Sequence, residues 1–152
     1  METLERYITE HPFFAGLDSA FISLMVGCAS NVHFKRGDFM FREGDPADTF
    51  YLLRHGKVAV EVFAPQHDPI MVATLEEGEI LGWSWLLAPY RWKHQARALD
   101  DVRAIAMDGK CLRGKCDQNH DLGYEILKRF ARIIEQRLET TRLQLIDVYA
   151  VR

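Results

Sequence analysis

Residues 34–60 read FKRGDFMFREGDPADTFYLLRHGKVAV, and this stretch decides the fold of the chain. Its glycines fit turns that need a positive φ or a close approach of two backbones. Aspartates beside these glycines can accept hydrogen bonds from backbone amides in the turns. Apolar side chains recur at alternate positions, as on strands that face a core. The glycines are Gly37, Gly44 and Gly56, the aspartates are Asp38, Asp45 and Asp48, and the apolar residues are Phe41, Phe50, Leu52, Val58 and Val60.

The same sequence pattern of short strands and turns extends from Asn31 to about Met107. Short alternating or apolar runs are separated by turn sequences about 8 to 12 residues apart, a spacing typical of an antiparallel sandwich or barrel. The strand candidates are NVHF, DFMF, TFYLL, KVAVEVF, IMVATL, QARAL and VRAIAM. The pattern predicts a β body over residues 31–108.

Helical spacing replaces this pattern at both ends. Within residues 1–30 we expect two short helices, interrupted at Pro12, with Asp18 or Ser19 able to cap the second. Residues 121–149 contain no proline and, after Gly123, no glycine, which predicts one long helix.

The long helix carries two apolar stripes. One, called the seam below, follows a heptad spacing, which is typical of a helix that packs against a partner helix. The other covers only the first half of the helix and predicts contact with the β body. A homodimer through this C-terminal helix follows as a hypothesis, and the alternative is that both stripes pack internally. The seam consists of Leu127, Ala131, Ile134, Leu138, Thr141, Leu145 and Val148, and the second stripe of Ile126, Phe130 and Ile133.

Composition limits the function classes. The chain has 152 residues, 48% hydrophobic and 27% charged, which fits one globular domain. A net charge of −3 gives no general attraction to nucleic acid or an anionic membrane, and nothing resembles a signal peptide or a membrane span. We therefore expect a cytoplasmic protein without membrane association. The three cysteines, Cys28, Cys111 and Cys116, lack a disulfide framework, so we expect reduced thiols.

The stretch quoted first resembles the front half of cyclic-nucleotide-binding domains, as found in the bacterial cAMP receptor protein, protein kinase A regulatory subunits and cyclic-nucleotide-gated channels. The resemblance covers most of the chain. It implies a mainly β fold: an antiparallel β-roll, or double-stranded jelly roll, with short N-terminal helices and a long C-terminal dimerisation helix. It also implies a single domain over residues 1–152.

The resemblance places a ligand site in residues 78–98, called the cassette below. In the family, a glutamate of this segment holds the ribose, and an arginine followed by a small residue holds the cyclic phosphate. Alignment on Gly78 and Gly82 puts Trp83 at the position of that glutamate. Alignment on the end of the cassette puts Trp92 and Lys93 at the positions of the arginine and the small residue. In this chain, neither the glutamate nor the arginine of the family stands at its expected position.

Aromatic and cationic residues are concentrated in the cassette, and such a mixture can stack on a planar ring and pair with an anion. Three hypotheses remain open: the tryptophans fill the pocket, another small anionic ligand binds, or cAMP or cGMP binds through Arg91. On the long helix, Gln136 and Arg137 lie about where the family contacts the ligand base, although polar residues there are often only exposed. The candidate ligand-binding residues are Gly82, Trp83, Ser84, Trp85, Arg91, Trp92, Lys93 and Gln136.

No pattern of catalytic or metal-ligating residues stands out, so we expect neither an enzyme nor a metal site. The chain ends near the point where transcription factors of this family continue into a helix-turn-helix domain. We therefore expect no DNA binding by this chain alone and a partner protein that receives its signal. The leading hypothesis is a stand-alone sensory module for a small anionic ligand. The alternatives are a ligand-free interaction scaffold and the sensor part of a transcription regulator.

Overall fold

The computed structural model describes residues 2–150, in which strands and helices follow the expected order. The helices are α1 (Glu2–Glu10), α2 (Ser19–Val26), α3 (Gly109–Gln118) and α4 (His120–Ala150). The strands are β1 (Ala29–Phe34), β2 (Phe39–Phe41), β3 (Thr49–His55), β4 (Val58–Val62), β5 (Ile70–Leu75), β6 (Ile80–Leu81), β7 (Gln95–Ala98) and β8 (Val102–Asp108). Short 3-10 turns occupy Pro12–Phe14 and Ser84–Leu86.

The strands form two antiparallel sheets. One sheet has the order β1-β8-β3-β6 and the other the order β2-β7-β4-β5. With the flanking helices, this confirms the predicted β-roll. Two elements were not predicted. Strand β6 is only two residues long and pairs with Tyr51 and Leu52 of β3. Helix α3 contains two glycines, and it depends on an Asp108 cap and on burial of Leu112.

The turns of the decisive stretch behave largely as the sequence predicts. The Asp38 carboxylate accepts from the Lys35 amide at 2.8 Å, and the Asp45 carboxylate accepts from the Arg42 amide at 3.3 Å. Gly56 has φ +89°, and a Cβ there would overlap the carbonyl of Asp101. Asp48 differs from the prediction, because its carboxylate accepts from the Arg113 guanidinium at 3.1 Å rather than from a turn amide.

Apolar side chains pack in two separate cores. The outer core lies between the sheet that contains β3 and the helices, and it holds Phe50, Leu52, Ile105 and Met107 from that sheet. The roll interior lies between the two sheets and holds Phe41, Tyr51, Leu53, Val58, Val60, Val102 and Ala104. The apolar residues predicted to share one core are therefore divided, since alternate positions of β3 point to opposite faces of the sheet.

Helix α4 has 31 residues and two different halves. In the first half, Leu122, Ile126 and Phe130 are fully buried against the outer core. In the second half, the seam is open to solvent: Leu138 is 49% exposed, Leu145 55% and Val148 63%. The second stripe thus packs on the β body, as predicted, whereas the later seam residues do not pack within the chain.

The expectation of three reduced thiols is wrong for one pair. Cys28 and Cys111 are joined by a disulfide, with Cα atoms 5.8 Å apart, and Cys116 is free and half-buried. The two bonded residues are 83 positions apart in sequence, so their spacing carried no signal. Among residues 2–150, no helix is long and apolar enough to cross a membrane.

Candidate functional site

The cassette begins in a turn that is bonded to the middle of the sheet. The amide of Gly78 donates to the carbonyl of Leu53 at 2.9 Å, and the amide of Leu53 donates to the carbonyl of Glu79 at 3.0 Å. From there the chain passes through β6 and the 3-10 turn at Ser84–Leu86 before it enters β7. The cassette therefore crosses from one sheet to the other, which lets its side chains reach both cores.

Trp92 lies in the roll interior. Its indole is 4% exposed and stacks on Phe41, with ring centres 3.6 Å apart and planes 9° apart. Gly82 faces the indole, and a Cβ at residue 82 would lie 2.5 Å from Cη2 of Trp92. The backbone of Trp92 is fixed by two hydrogen bonds. The Gly44 amide donates to the Trp92 carbonyl at 2.8 Å, and the Trp92 amide donates to the Asp45 carbonyl at 3.0 Å. Trp92, a candidate ligand-binding residue, is thus part of the packed roll interior.

Trp85 points the opposite way, into the outer core. It is fully buried, stacks on Phe50 at 5.0 Å and meets the edge of Phe130 of α4 at 5.5 Å. The Arg113 guanidinium donates to the Trp85 carbonyl at 2.6 Å. Trp85 was a candidate ligand-binding residue, but its side chain has no exposed surface for a ligand and instead joins the cassette to the helices.

Trp83 lies where the cassette meets α4, and its indole remains partly exposed. The guanidinium carbon of Arg137 lies 5.0 Å from the centre of the Trp83 ring, within the range of a cation–π interaction. Nη2 of Arg137 also donates to the carbonyl of Ile80. Burial lowers the pKa of Arg137, although the nearby Glu79 carboxylate opposes this effect. A partly desolvated cation therefore bridges the cassette and the long helix.

His94 lies on the interior side of the same region. Its ring is 5.4 Å from Phe41 and 6.1 Å from Trp92. Burial, and secondarily the positive charge of Arg137, lower the pKa of His94 to about 4. The imidazole is therefore neutral at pH 7. We call Trp83, His94 and Arg137 the helix contact.

The remaining predicted residues are not gathered around the helix contact. Arg91 is exposed and donates to the carbonyl of Gly44 at 3.2 Å, and Lys93 is also exposed. Ser84 is half-buried at the start of the 3-10 turn, and Gln136 is exposed on α4. The predicted cations of the cassette point outward, so the structure separates them from the buried indoles.

Sequence reasoning undervalued Arg137 and His94. The resemblance puts both Gln136 and Arg137 about where the family contacts the ligand base, although polar residues there are often only exposed. One step along the helix turns the side chain by about 100°, and it is Arg137 that reaches the cassette. His94 is not among the candidate ligand-binding residues that the sequence indicates. In the part of the chain that the structure describes, no cluster of three or more histidine, cysteine or acidic side chains could hold a metal ion.

Known proteins share this architecture. The family model described as "Cyclic nucleotide-binding domain" matches residues 31–119. The CRP-like cAMP-activated global transcriptional regulator of Mycobacterium tuberculosis is 24% identical over 145 residues, which are 95% of this chain and 63% of that protein. The chain thus spans less than two thirds of that relative's length.

Two solved structures extend the comparison. The N-terminal domain of a transcriptional regulator from Streptomyces coelicolor has 27% identity and a TM-score of 0.68, covering 85% of this chain and 92% of that one. A cyclic nucleotide-binding domain from Methylobacillus flagellatus superimposes with a TM-score of 0.79 at 16% identity, covering 96% of this chain and 82% of that one. The latter similarity concerns the fold alone.

Proposed function

The chain belongs to the cyclic nucleotide-binding domain family, and from this premise we propose that it is a homodimeric regulatory module, not an enzyme, that senses a small planar anion at the helix contact. The observation that carries the proposal is the position of Arg137, which lies on Trp83 and bonds the Ile80 carbonyl from α4. A guanidinium beside an indole suits a ligand that has both an anionic group and a flat ring. Such a ligand would compete with the Ile80 carbonyl for Arg137 and so shift α4.

The roll interior argues against cAMP and cGMP as the main ligands. Trp92 packs on Gly82 and Phe41. The sequence alignment puts Trp92 at the position of the family's phosphate-binding arginine and Trp83 at that of its ribose-binding glutamate. Each missing charge-assisted hydrogen bond would weaken binding by about 1.5–3 kcal/mol. The indole of Trp92 would also have to leave a site in which it is 4% exposed.

The test is a thermal-shift and tryptophan-fluorescence titration of the protein with benzoate, inorganic phosphate, cAMP and cGMP. All three tryptophans lie in the cassette, so their emission reports binding there. We expect benzoate to raise the Tm saturably, because a ligand that binds only the folded state stabilises it. The R137Q variant should lose at least tenfold in affinity. The R91Q variant is the matched control, since Arg91 is an exposed cation of the same cassette, and it should bind normally.

Other outcomes have distinct meanings. A cAMP response that disappears in R91Q and persists in R137Q would contradict the helix contact as the site and favour cyclic-nucleotide binding through Arg91. No response to any of the four probes would favour the second candidate, a ligand-free interaction scaffold. The close packing of Trp92 in the roll interior is the observation that favours that second candidate.

The homodimer part of the proposal is supported by the exposed seam of α4. A heptad spacing continues across the exposed half of the helix, and the same face on a second copy would bury it symmetrically. Light scattering at micromolar concentration should give twice the chain mass. The L145E variant should be monomeric, whereas L143E, which places the same charge on an equally exposed leucine off the seam, should remain dimeric. A monomeric native protein would rule out the homodimer.

A further inference from the structure

We infer that Cys28 and Cys111 form a reversible redox-modification site that fastens the turn between α2 and β1 to α3 and takes a low-molecular-weight disulfide as its oxidant. The two sulfur atoms are bonded, and the Cα separation of 5.8 Å lies in the usual range for disulfides. Disulfides that form in reducing compartments are usually catalytic or redox-sensing. The inference does not depend on the anion proposed for the helix contact.

The two cysteines are held together by more than their own bond. The amide of Asp108 donates to the carbonyl of Cys28 at 2.8 Å, and the Asp108 carboxylate accepts from the amide of Cys111 at 3.0 Å. Nζ of Lys115 also donates to the Leu24 carbonyl near the end of α2. These bonds do not involve sulfur, so they keep the cysteines adjacent after reduction. The disulfide can therefore open and re-form without unfolding.

Helix α3 connects the cysteine pair to the cassette. Arg113, two residues after Cys111, donates to the Trp85 carbonyl at 2.6 Å and to the Asp48 carboxylate at 3.1 Å. The same helix leads directly into α4, which begins at His120. A bond that fixes α3 to the turn after α2 thus restrains the helix that holds the outer side of the cassette.

The chemistry balances with oxidised glutathione as the oxidant. Cys111 is half-buried and Cys28 is 6% exposed, so the Cys111 thiolate is the group that attacks first. It displaces one glutathione thiolate and forms a mixed disulfide. The Cys28 thiolate then attacks the Cys111 sulfur and releases the second glutathione. Two protein thiols lose two protons and two electrons in total, and the electrons reduce one glutathione disulfide to two glutathione thiols.

Cys116 provides a matched control. It lies on α3, but its thiol is free, and its Cβ lies close to Gly123 of α4. Burial, together with the charge of Asp117, raises the pKa of the Cys116 thiol, which lowers its reactivity at neutral pH. A C116A variant should therefore keep the redox behaviour of the native chain.

The test is intact mass spectrometry and thiol titration of the native protein after equilibration with reduced or oxidised glutathione. We expect one accessible pair of thiols to be lost on oxidation, with a mass decrease of about 2 Da and no retained glutathione. The change should reverse with dithiothreitol, persist in C116A, and be absent in C28A and C111A. In hydrogen exchange, amides of α3 and of the turn at Ser84–Leu86 should exchange several-fold faster in the reduced native protein.

Three results would overturn the inference: stable glutathione adducts without a Cys28–Cys111 bond, a bond that resists dithiothreitol until the protein unfolds, or identical exchange of α3 in both redox states. The comparison of reduced and oxidised native protein needs no substitution, so a variant that fails to fold does not affect it. The benzoate titration on the same two samples separates this inference from the proposed ligand site.

Discussion

Trp85 and Trp92 come from one short segment, yet they stabilise opposite sides of the molecule. Trp85 enters the outer core, where Phe50 and Phe130 of α4 contact it, and Trp92 enters the roll interior, where it stacks on Phe41. Both indoles are nearly inaccessible to solvent. The cassette is therefore fixed from two sides, and of its tryptophans only Trp83 retains exposure and a contact with the distal part of α4.

The two cores also differ in how well their polar atoms are satisfied. In the described part of the chain, Nε1 of Trp85 and Nε of Arg129 are buried on the helix side without a hydrogen-bond partner. No such side-chain atom belongs to a residue of the roll interior as described here. Buried unsatisfied groups cost about 1–3 kcal/mol each. The helices around the outer core therefore carry the larger cost of unsatisfied polar groups, and we expect these helices to move before the roll does.

The largest expected effect is that of W85A. Removing a fully buried indole from the outer core should lower the free energy of unfolding by about 4 kcal/mol, measured by urea denaturation. W83A is the control, because Trp83 is only partly buried, and it should cost about 1 kcal/mol. Equal losses in the two variants would mean that Trp85 does not anchor the helices to the cassette.

W92A should cost less, about 3 kcal/mol in the same assay. The indole of Trp92 borders a pocket of about 200 Å³ between β2 and the following turn, so water can enter part of the space that truncation leaves. W92F keeps a stacking ring for Phe41 and should lose less than half as much. If W92A loses more free energy of unfolding than W85A, the roll interior depends more on its tryptophan than the outer core does, and the expected order is wrong.

An effect of at most about 3 kcal/mol, comparable with that of W92A, should appear in the pH dependence of stability and should come from His94. Its folded pKa of about 4 lies below the ordinary value of 6.5, so the unfolded state binds more protons between these values. The stabilisation is complete above pH 6.5 and is lost as the pH falls to 4. The H94Q variant should show a flatter profile in this window by urea denaturation.

Burial also lowers the pKa of His11, so that residue adds to the same profile with the same sign. An H11Q variant separates the two contributions, since His11 lies on the outer-core side and His94 on the interior side. Superimposable profiles for the native protein and H94Q would show that the imidazole of His94 is not buried as neutral in solution.

The smallest effect on stability is expected for R137Q, about 1 kcal/mol or less. The lost bond to the Ile80 carbonyl is offset by relief of the desolvation that lowers the pKa of Arg137. Tryptophan emission should nevertheless change, because the guanidinium leaves the face of Trp83. A loss as large as that of W85A would make Arg137 part of the structural core rather than a contact suited to a ligand.

Local chemistry explains what the sequence could predict. Turns depend on glycines and aspartates within a few residues of one another, so the roll was predictable from residues 34–60. The seam was predictable because helical spacing is regular. The cassette is irregular: a 3-10 turn and a positive φ at Tyr90 interrupt the alternation of side chains, so the separate directions of Trp85 and Trp92 could not be predicted.

Other features depend on long-range contacts. Helix α3 has two glycines and few apolar residues, and it is stabilised by contacts with Asp48 and Trp85, more than 20 positions earlier in the chain. The Cys28–Cys111 bond joins residues that only the finished fold brings together. The position of Arg137 depended on the rotation of α4 around its axis, and packing of Phe130 sets that rotation.

The length of α4 makes it a lever arm. At 1.5 Å per residue its 31 residues span about 46 Å, and the portion beyond Arg137 extends about 20 Å past the helix contact. A tilt of about 10° at Arg137 would displace the far end by about 3–4 Å, although atoms at the cassette would move by less than about 1 Å. An event too small to disturb the roll is therefore sufficient to displace the far end of α4.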